Sequence, residues 1–139
     1  MVILGWIDQW RSGDISTAFL QGKDRGEKSR GRLYLEPPAR PLDGASRGAL
    51  LEVKKSIYGL PDAPRAWWEE LTGYLTSLGY QHTRMDAAFL VWYHENGALG
   101  SIIVVHVDDL MITGDGIEVT ETLIEKQVHK KFPLACGPR

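Results

Sequence analysis

Two adjacent carboxylates, Asp108 and Asp109, interrupt a strongly apolar stretch. Ser101-Ile-Ile-Val-Val-His-Val107 precedes them and Leu110-Met-Ile-Thr113 follows. Acidic groups at the end of a buried strand are costly unless a cation or hydrogen bonds offset them. Strand alternation sends neighbouring side chains to opposite faces, so a turn is needed for both to approach one site. A solvated hairpin turn, where Asp is common, is the plainer explanation of the pair. A third carboxylate, Asp14, opens the segment Asp14-Ile-Ser-Thr-Ala-Phe-Leu-Gln-Gly22; alone it is a capping or turn residue. Together, three carboxylates at the ends of two strands can hold a pair of divalent ions. One ion then activates an attacking oxygen while the other stabilises the leaving group. Mg²⁺ is the hard partner for such oxygens and is often shared with substrate phosphates. Spacing does not join Asp14 to the pair, because most of the chain lies between them.

The elements that must position these residues read as an α+β arrangement, a small antiparallel sheet with helices packed on one face. Residues 2–10 form a short helix or the end of one. Residues 14–20 follow a Ser-Gly turn as a strand running into a turn or short helix. A polar surface loop covers 21–32, a short strand 33–36, and a Pro- and Gly-rich loop 37–48. A weakly alternating strand follows over 50–57. The clearest helix spans 64–78. Asp62 or Ala63 caps it, Pro64 suits its first turn, and Gly79 stops it. Trp67, Leu71, Tyr74, Leu75 and Leu78 share one of its faces. Residues 88–93 and 101–107 flank the turn-like 94–100 as a hairpin, and 110–113 is one more strand. That places Asp108 and Asp109 in a tight turn. A final amphipathic helix spans 117–131, with Glu118 and Glu121 in its first turn and Lys130 and Lys131 in its last.

Composition sets limits on function. The chain has 139 residues, 43% hydrophobic and 24% charged, with a net charge of −2, and the pI is about 6.1. Proteins that grip nucleic acid unaided carry a basic surplus, so any such contact here relies on local patches, metal ions or other segments. Lys54, Lys55 and Arg65 are candidates for phosphate contact, or else a solvated basic face. The aromatics Trp67, Trp68 and Trp92 fall at helical or strand spacing, which suits core better than base stacking. Cys136 is the single cysteine, which excludes an internal disulfide and fits a reducing compartment. The apolar start is short, lacks a basic leader and reaches Asp8 quickly, unlike a signal peptide or a membrane span. The expectation is a soluble, intracellular protein, cytoplasmic or nuclear, with no membrane partner.

Four ordered blocks carry a family resemblance. They are Asp14-Ile-Ser-Thr-Ala-Phe-Leu-Gln-Gly22, Leu33-Tyr-Leu-Glu-Pro-Pro38, Lys55-Ser-Ile-Tyr-Gly-Leu-Pro-Asp-Ala-Pro-Arg-Ala-Trp67 and Val105-His-Val-Asp-Asp-Leu-Met-Ile-Thr-Gly114. In this order they resemble the signature blocks of Ty1/copia-type retrotransposon reverse transcriptases, from about residue 10 to 132. Four blocks in sequence are far more specific than a lone motif. The resemblance implies a polymerase palm, with residues 1–139 as one partial reverse transcriptase domain. The implied activity is RNA-directed DNA polymerisation: two Mg²⁺ ions, or Mn²⁺, assist transfer of a nucleotide from a dNTP to a primer 3′-hydroxyl on an RNA or DNA template.

Residue by residue, the resemblance assigns Asp14, Asp108 and Asp109 as catalytic metal ligands, with the Ile15 carbonyl adding one more. It places Phe19 beneath the incoming sugar, where it excludes a 2′-hydroxyl; the plainer reading of Phe19 is a core aromatic. Tyr58, Gly59 and Arg65 belong to a stretch that contacts the nascent base pair and template. His106 stands where relatives more often show Tyr. It reads as a primer-end contact, a satisfied structural His, or a metal ligand. Pro61-Asp62 replaces a pair that is Lys-Gln in many relatives, removing a positive charge and an amide donor near the nucleotide. The family's remaining fingers, thumb, ribonuclease H and integrase segments are expected elsewhere in a polyprotein. The alternative is a catalytically inactive retrotransposon remnant or a palm-derived binding module.

Overall fold

The structure, a computed structural model, describes residues 6, 10–24, 31–39, 44, 46 and 48–136. The chain divides into two compact units, one of residues 1–18 and 71–139 and the other of residues 19–70. The expected helix over 2–10 lies largely outside the described residues, as do parts of the loops over 21–32 and 37–48.

In the first unit six strands form one antiparallel sheet. They are β1 (Arg11–Ile15), β4 (Gln81–His82), β5 (Phe89–Tyr93), β6 (Leu99–His106), β7 (Asp109–Gly114) and β8 (Leu134–Cys136), in the spatial order β4-β5-β6-β7-β1-β8. With its helices, the architecture is α+β. Leu90, Ile103, Val105, Leu110 and Ile112 are buried along one face. The opposite face exposes Asp14, Phe89, His106, Asp109 and Met111, while Thr113 on that side is covered where its hydroxyl donates to the Trp6 carbonyl at 3.0 Å. The expected strand over 14–20 is displaced. Ser12 and Gly13 lie within β1 rather than in a turn before it, and residues 18–21 form a short helix, α1 (Ala18–Gln21). Gly13 sits inside the strand because a Cβ there would come within 2.8 Å of the Leu134 side chain, which fills the space instead.

Two strands escape the sequence reading, β4 and β8. Each is only two or three residues long, too short for alternation to register. The final helix is also not uniform: α3 (Ile117–Glu121) widens into a π-helical stretch (Thr122–Val128) before α4 (His129–Lys131). Within that stretch the Gln127 carbonyl accepts a hydrogen bond from the Tyr74 hydroxyl at 2.9 Å, and Tyr74 meets Phe132 edge to face at 5.5 Å.

Helix α2 (Ala63–Ser77) follows the expected boundaries to within one residue. The Asp62 carbonyl accepts the first helical bond from Ala66 at 3.0 Å. Trp67, Leu71 and Leu75 are buried, and Tyr74 and Leu78 are half-buried. Gly79, at φ +96°, ends it in a Schellman motif: Tyr80 N–H donates to Leu75 O at 3.2 Å and Gly79 N–H to Thr76 O at 2.9 Å. The second unit contains a two-stranded ribbon, β2 (Tyr34–Leu35) with β3 (Leu51–Glu52), shorter than the expected strands over 33–36 and 50–57. Beyond that pairing, an isolated bridge joins Asp24 to Lys55.

A buried polar chain crosses the first unit's core. Tyr80 donates to Ser101 Oγ at 2.9 Å, and Ser101 donates to the Thr113 carbonyl at 3.0 Å. Burial pushes the Tyr80 phenol up to about 12, against an ordinary 10.0, with the Ser101 hydrogen bond opposing part of the rise. The fold thus favours the neutral phenol. That stabilisation is intact below pH 10 and is lost as the pH climbs toward about 12, a loss of on the order of 2–3 kcal/mol. Tyr80→Phe is expected to flatten this alkaline limb, measured as the difference between parent and variant in urea unfolding below and above pH 10.

Candidate metal centre

Strands β6 and β7 are joined by two residues, Val107 and Asp108, so that His106 pairs directly with Asp109. A two-residue hairpin connection requires positive φ at one or both central positions, and Val107 supplies it at φ +56°. This conformation is an outlier for a β-branched side chain, and nothing in the sequence flags it. The turn is tied to the neighbouring strand by Ile15 N–H, which donates to the Asp108 carbonyl at 2.9 Å. Ile15 itself is buried, so its side chain belongs to the core.

Register then does what spacing alone does not. Asp14 on β1 pairs with Asp109 on β7, which pairs in turn with His106 on β6. Residues directly opposite one another share a face, so these three form a row at one end of the sheet. Asp108, in the turn, completes the cluster: one carboxylate oxygen each from Asp14, Asp108 and Asp109 lies within 4.8 Å of the others. Asp14, Asp109 and His106 are exposed and Asp108 half-buried. The bend expected around Asp108–Asp109 falls one residue earlier, on Val107 and Asp108, because Asp109 is already the first residue of β7.

The remaining sequence-derived site residues lie in the unit of residues 19–70. Phe19 and Tyr58 are in ring contact, centroids 4.7 Å apart and planes inclined at 41°. Gly59 follows at φ +92°. Arg65, at the start of α2, donates from Nε to Glu69 at 2.9 Å, an exposed pair one helical turn apart. Trp67 is buried and Trp68 half-buried, as is Trp92 in the first unit. A polar pair that sequence reasoning missed joins His94 Nε2 to Asp115 at 2.6 Å. No motif signals it, because the pair meets only through the successive pairing of β5, β6 and β7.

The electrostatics of the cluster favour a cation. Three carboxylates at this separation repel by about 1 kcal/mol per pair in water and roughly 3 kcal/mol at an effective dielectric near 20. Among the described residues no side chain pairs with any of them. An all-oxygen donor set, reachable from solvent, fits a hard divalent ion such as Mg²⁺ that keeps several waters or takes phosphate oxygens. Among the described residues no helix is long and apolar enough to cross a membrane.

A family described as reverse transcriptase (RNA-dependent DNA polymerase) matches residues 7–136. Over 105 residues, 76% of this chain, the sequence is 32% identical to the retrovirus-related Pol polyprotein from transposon RE1 of Arabidopsis thaliana. It is 34% identical, over the same share, to the corresponding polyprotein from transposon RE2 of that plant. The polyprotein from transposon TNT 1-94 of Nicotiana tabacum is 30% identical over 73% of the chain. The aligned region spans 7% of the length of each of these relatives. No solved structure matches the chain.

Proposed function

The chain belongs to the copia-type reverse transcriptase family, and from that membership we propose that it is the palm core of an RNA-directed DNA polymerase with Asp14, Asp108 and Asp109 as its metal ligands. The observation that carries this reading is the convergence of the three carboxylates at one open end of the sheet. Paired divalent ions, when bound there, would lower the pKa of a primer 3′-hydroxyl and neutralise charge on the triphosphate.

The chain's own residues supply position. Asp14 and Asp109, opposite each other on adjacent strands, set the width of the metal site, and the Ile15 carbonyl adds a neutral oxygen beside them. Asp108 is held in place by the Ile15 hydrogen bond to its carbonyl. His106, in line with Asp109, contacts the primer end. By the family resemblance, Phe19 is assigned to the place beneath the incoming sugar, and Tyr58, Gly59 and Arg65 are assigned to the stretch that contacts the nascent base pair and template. The reaction is attack of the primer hydroxyl on the α-phosphate with departure of pyrophosphate. Its catalysis is chiefly orientation and electrostatic stabilisation. Template-primer, dNTP and the other segments of a Pol polyprotein are the partners.

The test is extension of a DNA primer on an RNA template in Mg²⁺ or Mn²⁺, comparing the chain with an Asp108→Asn, Asp109→Asn double variant. Extension by the parent that the variant loses supports the reading. Absence of extension by the parent moves the polypeptide to an inactive remnant or a binding module within the same family.

A further inference from the structure

We propose that Tyr58 is a positioning residue for sugar selection: by stacking on Phe19 it holds that ring in the one orientation that leaves no room for a 2′-hydroxyl. The proposal rests on the reading of Phe19 as the residue beneath the incoming sugar, and adds to it the group that keeps Phe19 in place.

The backbone of Phe19 is well anchored. It lies in the short helix α1, and Gly22 closes that helix with its N–H donating to the Phe19 carbonyl at 3.3 Å. A Cβ on Gly22 would come within 3.3 Å of the Trp67 backbone nitrogen and 3.4 Å of the Ala66 carbonyl carbon, so the absence of a side chain lets the end of α1 lie against the backbone of α2. The ring of Phe19 is less constrained, because the residue is only half-buried. Aromatic side chains interchange between staggered positions unless neighbours forbid it. A ring that can swing aside cannot enforce a steric exclusion, which depends on the unwanted group meeting something that does not yield.

Tyr58 supplies the missing constraint. The Leu60 N–H donates to the Ile57 carbonyl at 3.2 Å, and Gly59 has φ +92°. That is a type II turn with glycine where positive φ is required. Tyr58 occupies the first central position and is thrust outward, with 58% of its surface exposed. A large aromatic so exposed adds little to a core. Its ring nevertheless rests against Phe19 at 4.7 Å, tilted by 41°, within the range of favourable aromatic pairs. The stack needs the ring of Tyr58, not its hydroxyl.

The experiment compares the parent, Tyr58→Ala and Tyr58→Phe by the ratio of kcat/KM for dNTP to that for the matching rNTP in primer extension. Alongside, the aromatic NMR signals of Phe19 in each chain report the stack without any need for turnover. The expected result is a fall in deoxynucleotide preference of on the order of tenfold in Tyr58→Ala, with Tyr58→Phe, which keeps the ring, losing less of that preference than Tyr58→Ala whatever its rate of extension. Phe19 signals should shift in the alanine variant and stay near their parental positions in the phenylalanine one. A parent that favours dNTP while Tyr58→Ala retains the full preference would overturn the proposal and leave the reading of Phe19 intact. Phe19 signals that ignore Tyr58→Ala overturn it too, whatever the activity. A parent with no preference, or no extension, brings down the reading of Phe19 and this proposal with it.

Discussion

The Asp108→Asn, Asp109→Asn variant is expected to extend a primer at least about a thousandfold more slowly than the parent, while folding as well as the parent or better. Asparagine matches aspartate in shape but offers one neutral oxygen where the carboxylate offers two charged ones, so the site loses its attraction for a divalent ion. Residues acting as one unit fail together, and the loss should not double when Asp14→Asn is added. Stability should move the other way. Asp109 is exposed and Asp108 half-buried, and no side chain among the described residues pairs with either. Their removal relieves mutual repulsion at a cluster whose oxygens approach within 4.8 Å. A thermal unfolding midpoint equal to or above the parent's, with Mn²⁺ binding abolished by calorimetry, separates loss of a metal site from loss of fold. A variant that still binds Mn²⁺ with parental affinity would show that these carboxylates do not form the metal centre.

What the sequence disclosed divides along physical lines. The long helix was legible because Trp67, Leu71 and Leu75 repeat at helical spacing and Gly79 can take the positive φ that ends it. The hairpin of β5 and β6 was legible from two apolar runs around a polar turn. The three carboxylates were individually visible, and family resemblance grouped them, but their meeting depends on register. Only the pairing of Asp14 with Asp109 across β1 and β7 puts them on one face, and register between strands far apart in sequence leaves no local trace. The same holds for β8, whose three residues pair with β1. Gly13 read as part of a turn because Ser-Gly is a turn dipeptide; inside the sheet it is the space that Leu134 fills. Val107 was invisible for the opposite reason. A β-branched residue argues locally against positive φ, and the strands on either side override that preference at a cost of roughly 1–3 kcal/mol.

That override has to be supported by packing beneath the site, and Leu110→Ala is expected to reveal it. Leu110 is fully buried, next in sequence to Asp109, and pairs with Gly13 on one side and Val105 on the other. Strand alternation points it into the core while Asp109 points to solvent. Truncating a buried leucine costs about 2–5 kcal/mol, more where the surroundings cannot collapse. Here Gly13 has no side chain to move in, and the Leu134 side chain already occupies the space above it. The upper half of that range is therefore expected, a large share of the roughly 5–15 kcal/mol that stabilises a whole domain. Urea unfolding measures it directly. Metal binding, assayed well below the unfolding transition, should change by less than about threefold, since hydrogen bonds of the strand pairs, not the leucine side chain, set the spacing of the carboxylates. If Leu110→Ala instead abolished Mn²⁺ binding while the chain remained folded, the core would be shaping the site directly. The two faces of β7 could then no longer be treated as independent, one holding the sheet together and the other holding the ions.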